Sequence, residues 1–149
     1  MKILIINGPN LNMLGKRDKT QYGTLTLAEL QDGIKSFATE NFADVELDFV
    51  QSNFEGQIIE WIQTAREKHS AIVLNAGAYT HYSYAIRDAI ECCGVPVYEV
   101  HLSDIHKREE FRRVSVLEDV CVMQISGLGM GSYTKAIEEI MRRNNNEKS

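Results

Sequence analysis

Apolar positions along the chain switch between two rhythms, short unbroken runs and helical spacing, and the two alternate from end to end. Lys2 to Asn7 reads KILIIN, the pattern of a strand buried on both faces. Thr26-Leu27-Ala28-Glu29 matches a capping box, and Leu27, Leu30, Ile34, Phe37 and Ala38 follow at helical spacing. A helix of roughly four turns is predicted there. Val45 to Gln51 alternates through Val45, Leu47 and Phe49, which suits a more exposed strand. Ser52-Asn53-Phe54-Glu55 offers a second capping box ahead of Ile58, Ile59 and Ile62. The rhythm repeats with a buried run from Ala71 to Leu74, helical spacing from Tyr82 to Cys92, and a strand from Val95 to Val100. Val120 to Ile125 predicts a fifth strand, and Ala136, Ile137, Ile140 and Met141 a closing amphipathic helix. The polar end, residues 144–149, is expected to fray.

Strand and helix alternation with buried strands implies an α/β fold with helices on both faces of a parallel sheet. Five strands in so short a chain favour a flavodoxin-like three-layer sandwich. The 149 residues, 44% hydrophobic, fit one domain spanning 1–149, with no internal repeat or linker. Charge narrows the partners: 16 Lys and Arg against 21 Asp and Glu give a net charge of -5, which argues against nucleic acid and makes any anion site local. The opening apolar run is too short for a signal sequence, and no run of eighteen apolar residues suggests a membrane span. Three cysteines, Cys92, Cys93 and Cys121, lack metal-ligand spacing and fit a reducing, cytoplasmic setting, with Cys92 and Cys93 packing as small hydrophobes on a helix.

In open α/β sheets ligands sit outside the carboxyl ends of the strands, near the reversal of strand order. Every such exit here is polar: Asn7-Gly8-Pro9-Asn10, Gln51-Ser52-Asn53, Asn75-Ala76-Gly77, Glu99 to Ser103, and Ser126-Gly127. Caps and turns account for Gln51 to Asn53 and for Ser126. A phospho-acceptor switch would need carboxylates where Asn7 and Asn75 stand. A nucleotide or flavin site would want a phosphate-cradling glycine loop, whereas residues 8–23 carry Asn, Arg and Tyr. The cluster Gly127-Leu128-Gly129-Met130-Gly131 lacks dinucleotide spacing and is read as structural. Glu99 and His101, two apart on a strand, point to the same side, so the carboxylate can orient the ring. His69, at a helix end among charged neighbours, is read as solvated. His81 opens a helix, where capping is the plainer role, and zinc on His81, His101 and His106 lacks short ligand spacings. Arg17 and Tyr22 lie in a loop long enough to be a lid, and a phenol can act as a base when a cation stabilises its anion. These residues suggest proton abstraction by Tyr22 and protonation by His101: an acid-base lyase or isomerase acting on a polar, anionic small molecule. A non-enzymatic nucleotide-binding module of the same fold is the alternative.

Four motifs, NGPNLNMLGKR with the following YG, LNAGAYTHYSYAIRDA, VYEVHLSDIHKREEFRRVS and SGLGMGSY, occur in order and span nearly the whole chain. Together they make the sequence similar to the type II 3-dehydroquinate dehydratases of the shikimate pathway. That resemblance implies a flavodoxin-like subunit, no cofactor, no metal and a homo-dodecamer built from trimers. It implies that Tyr22 takes a proton from C2 of 3-dehydroquinate and His101 protonates the hydroxyl leaving C1, through an enolate. Arg17 would stabilise the Tyr22 phenolate, Asn10 would hold a water near the enolate oxygen, and Glu99 would orient His101. Asn75, His81 and Arg112 would hold ring hydroxyls, the amides of Leu102 and Ser103 the carboxylate, and Asp88 would enter from a neighbouring subunit. Arg108 and Arg113 are expected at surface or subunit contacts. After Arg17 the chain has Asp18-Lys19 where many relatives place Glu-Pro.

Overall fold

The computed structural model describes residues 1–16 and 24–148, so Arg17 and Tyr22 lie outside the described residues. Five parallel strands, β1 (Lys2–Asn7), β2 (Glu46–Gln51), β3 (Ala71–Asn75), β4 (Val97–His101) and β5 (Met123–Ser126), form one sheet in the order β2-β1-β3-β4-β5. Four α-helices accompany them: α1 (Leu27–Asn41), α2 (Glu55–Thr64), α3 (Tyr84–Cys92) and α4 (Met130–Lys148). This is the flavodoxin-like order, with its reversal between β1 and β3.

Alternation along the strands builds the three layers. Ile3, Ile5, Val73, Tyr98 and Val100 face Leu30 and Ile34 of α1 and Ala136, Ile137 and Ile140 of α4. Leu4, Ile6, Ile72, Leu74 and Val97 face Ile58 and Ile62 of α2 and Ile86, Ala89 and Ile90 of α3. β1 and β3 are buried on both sides, whereas β2 at the sheet edge is half-buried or exposed throughout. The unbroken runs and the alternating run therefore match their places in the sheet.

Several boundaries differ from expectation, each for a backbone reason. β5 begins at Met123 because the Cys121 amide bonds back to Leu117 and Glu118 in a turn, leaving Val122 as the first residue to reach β4. β4 starts at Val97, after Pro96, which has no amide proton for a ladder. Helix α3 starts at Tyr84 after a 3-10 turn over Gly77–His81, capped by Ser83, whose hydroxyl accepts the Ile86 amide at 3.0 Å. Thr26 caps α1 through the Glu29 amide at 3.1 Å, as its capping box predicts. The second box does not form: Ser52 takes the Phe54 amide, and Glu55 instead accepts the Ser83 hydroxyl at 2.6 Å. Cys92 is exposed while Cys93 is buried, so only one of the pair packs inside. Helix α4 continues through Asn144 to Lys148, where a frayed end was expected. No helix among the described residues is long and apolar enough to cross a membrane.

Candidate active site

A cavity of about 120 Å³ opens at the carboxyl ends of β1, β3 and β4, at the reversal of strand order. Its walls come from Pro9 to Leu11 after β1, from Asn75, Gly77, Ala78 and His81 after β3, and from His101 to Ser103 with Ile105, Arg108 and Arg112 after β4. The walls approach closely enough that glycine is required between them. A Cβ on Gly8 would lie 2.8 Å from the carbonyl of Ala76.

Glu99 is fully buried, and burial of a charge demands compensating donors. Its carboxylate accepts from His101 Nε2 at 2.5 Å, Thr80 Oγ1 at 2.6 Å, Ser115 Oγ at 2.8 Å and Gln124 Nε2 at 3.1 Å. The Ser115 oxygen also accepts the amides of Leu117 and Glu118, so its own proton is turned to Glu99. Burial alone pushes the Glu99 carboxyl up, but the His101 bond and charge and the two hydroxyls outweigh it and hold the group below the ordinary carboxylate value. With Nε2 engaged by Glu99, Nδ1 is the ring nitrogen of His101 left for chemistry. Ionised Glu99 stabilises positive charge on that ring.

His81 is placed by its Nδ1, 2.7 Å from the Val114 carbonyl. A carbonyl only accepts, so Nδ1 carries the proton and Nε2 is an acceptor. Burial, with a smaller contribution from the Arg112 cation, lowers the pKa of His81 and keeps it neutral at pH 7. The Arg112 guanidinium lies 4.7 Å from the centre of the Phe111 ring, and its Nε is 2.9 Å from Glu109. Leu102 and Ser103 accept the amides of Gly129 and Gly127 at 3.0 and 3.2 Å. Gly127 and Gly129 adopt φ of 83° and 59°, where other residues are strained. Across the same planar peptide as the Leu102 carbonyl, the Ser103 N–H points away from that turn. The glycine cluster is thus structural, and what it shapes is a wall of the cavity.

Asn10 adopts the left-handed conformation, φ 68°, and its amide donates to Asn53 Oδ1 at 2.9 Å. Gln51 reaches the same Asn53 oxygen at 3.2 Å and the Gly8 carbonyl at 3.1 Å. The second strand exit therefore holds the first in shape, a role that its reading as caps missed.

Asn10, Asn75, His81, His101, Leu102, Ser103 and Arg112 meet at one cavity, with Glu99 behind His101. Asp88 lies exposed on α3 and is not among the residues lining it. Arg108 lines the cavity, and Arg113 Nε donates to the Arg108 carbonyl at 2.9 Å. Thr80 and Ser115 lie within the LNAGAYTHYSYAIRDA and VYEVHLSDIHKREEFRRVS motifs, but no spacing marks them or Gln124 as partners of Glu99, since the three converge on it from separate segments. Gln124 stands in register opposite Glu99 on the neighbouring strand. His69 is also corrected: its Nε2 lies 2.8 Å from Asp48 with 10% of its side chain exposed, which lowers the Asp48 pKa.

A family model described as "Dehydroquinase class II" matches residues 1–141. The chain is 52% identical to a 3-dehydroquinate dehydratase from Thermotoga petrophila over 143 residues, 96% of each chain. It is similar to the crystal structure of a type II dehydroquinase from Butyrivibrio crossotus, with a TM-score of 0.89 and 48% identity over 93% of this chain and 96% of that one. A second type II dehydroquinase structure, from Propionibacterium acnes, matches with a TM-score of 0.85 and 37% identity over 93% of this chain and 94% of that one.

Proposed function

The chain belongs to the class II dehydroquinase family, hydro-lyases that convert 3-dehydroquinate to 3-dehydroshikimate and water, and on that premise we propose how its residues divide the reaction. Tyr22 removes the proton at C2, made acidic by the adjacent ketone, and the electron pair passes into an enolate. Collapse of the enolate expels the C1 hydroxyl, which takes a proton from His101 and leaves as water. Elimination is anti, so base and acid act from opposite sides of the ring. Arg17 stabilises the phenolate of Tyr22, and Asn10 holds a water against the enolate oxygen. Glu99 orients His101 and balances its positive charge.

Neutral His81 offers an acceptor to one ring hydroxyl, while Asn75 and Arg112 offer donors to others. The backbone amides at Leu102 and Ser103 take the carboxylate, and Arg108 adds positive charge to the same wall. Asp88 completes the site from a neighbouring subunit of a trimer-based dodecamer. What supports that role is its exposure on α3, on a segment that also exposes Tyr82 and Tyr84. No cofactor or metal enters the scheme, and the shikimate pathway in the cytoplasm is the setting.

The observation that carries this reading is the buried Glu99–His101 pair opening onto a cavity lined with neutral and cationic groups. The test follows the conjugated product by absorbance. His101→Ala and Tyr22→Phe should each lower kcat on the order of 10² to 10⁴-fold, the range for positioned acids and bases. Substrate binding should survive in both. Near wild-type turnover in either variant would remove that residue from its role. Borohydride added with substrate should leave the enzyme active, because no lysine imine forms.

A further inference from the structure

The end of the SGLGMGSY motif, Tyr133, takes no part in the scheme above, yet it is as fully enclosed as Glu99. Asn7 and Asn75 end neighbouring strands in register with each other, and both point to the face covered by α4. Tyr133, with no solvent exposure, reaches from α4 to both. Its hydroxyl donates to Asn7 Oδ1 at 2.6 Å and accepts from Asn75 Nδ2 at 2.9 Å. Asn75 Oδ1 accepts the Gly77 amide at 3.1 Å.

The direction of this chain of bonds is dictated at one end. A backbone N–H can only donate, so the Asn75 oxygen must face Gly77 and its nitrogen must face the phenol. The phenol oxygen then accepts, and its proton is committed to Asn7. One of the two Asn75 N–H groups is used on Tyr133, and among the described residues the other has no protein acceptor. Asn75 is 3% exposed, and that small opening is onto the cavity. Enclosure also pushes the Tyr133 phenol pKa up, so the hydroxyl stays neutral and keeps both its donor and acceptor roles.

We propose that Tyr133 is a positioning residue for substrate recognition, locking the Asn75 amide in the one orientation that presents an N–H to an oxygen of the bound substrate. This rests on the reading of Asn75 as a substrate-binding residue. Tyr133 does not line the cavity, and among the described residues its hydroxyl bonds only Asn7 and Asn75, so its effect belongs to KM and to discrimination for an oxygen acceptor, not to the chemical step.

A double-mutant cycle tests it, with Tyr133→Phe, Asn75→Ala and the double variant assayed on 3-dehydroquinate. Tyr133→Phe should raise KM roughly fivefold to tenfold, the worth of one oriented hydrogen bond, with kcat and its pH profile unchanged. In the Asn75→Ala background the same substitution should raise KM no further. If Asn75→Ala raises KM but Tyr133→Phe does not, the positioning role is overturned while Asn75 keeps its binding role. If Asn75→Ala leaves KM unchanged, both fall. Equal effects of Tyr133→Phe in the two backgrounds would make its action independent of Asn75 and overturn the proposal. Should Tyr133→Phe fail to fold, Asn7→Ala carries the same expectation, because it removes the acceptor that directs the phenol proton.

Discussion

Glu99 shows what burial does to a single side chain. Four donors surround one fully enclosed carboxylate, so replacing it with an amide sets an N–H against groups that now donate to that position. Glu99→Gln should therefore lower kcat on the order of tenfold to a hundredfold while KM moves little, read by steady-state kinetics. An unchanged kcat would show that His101 needs no carboxylate behind it. The same residue predicts a stability effect. Its folded pKa lies below the unfolded value of about 4.3, so its contribution is fully present above that value and is lost as pH falls through the lower folded one. Between about pH 5 and pH 2, stability measured by urea unfolding should fall more steeply for the wild type than for Glu99→Gln. Parallel curves would mean that Glu99 does not titrate with folding.

At the scale of elements, the site depends on how closely the ends of β1 and β3 approach. The Gly8→Ala methyl would meet the Ala76 carbonyl, a backbone atom that cannot rotate away. That substitution should cost on the order of 1 to 3 kcal/mol and reduce activity, because Asn10 and Asn75 flank the strained contact. Gly56 makes the opposite case. It lies in the first turn of α2 with nothing within 4 Å of an added Cβ. Gly56→Ala should stabilise by roughly 0.5 kcal/mol with kinetics unchanged. Thermal melts of the two variants side by side check both expectations; equal shifts would mean that the strand approach is less constrained than the contact distances indicate.

For the whole molecule, the open question is how many subunits make one site. Asp88 is exposed on α3 and is absent from the walls of its own cavity. If it serves a neighbour, activity must follow assembly. Substitutions that yield isolated subunits should cut kcat/KM strongly, measured with light scattering on the same samples. A fully active monomer would remove Asp88 from the site.

The sequence by itself determined the layers and their order of succession, because a strand buried on both faces and an amphipathic helix each impose a period that composition cannot hide. It also determined the fixed pair Glu99 and His101, since residues two apart on a strand share a side whatever surrounds them. What it could not contain is convergence across segments. Thr80, Ser115 and Gln124 close on Glu99, and Tyr133 joins Asn7 to Asn75, only after helices and strands far apart in sequence have packed. Capping residues misled for a related reason: Ser52 and Glu55 have the right spacing, but a tertiary partner, Ser83, bonds Glu55 in place of its own helix end. Arg108 reaches the cavity because the segment after β4 turns in short 3-10 steps. Local periodicity sets elements; the placement of polar side chains is decided by which distant donor or acceptor reaches them first.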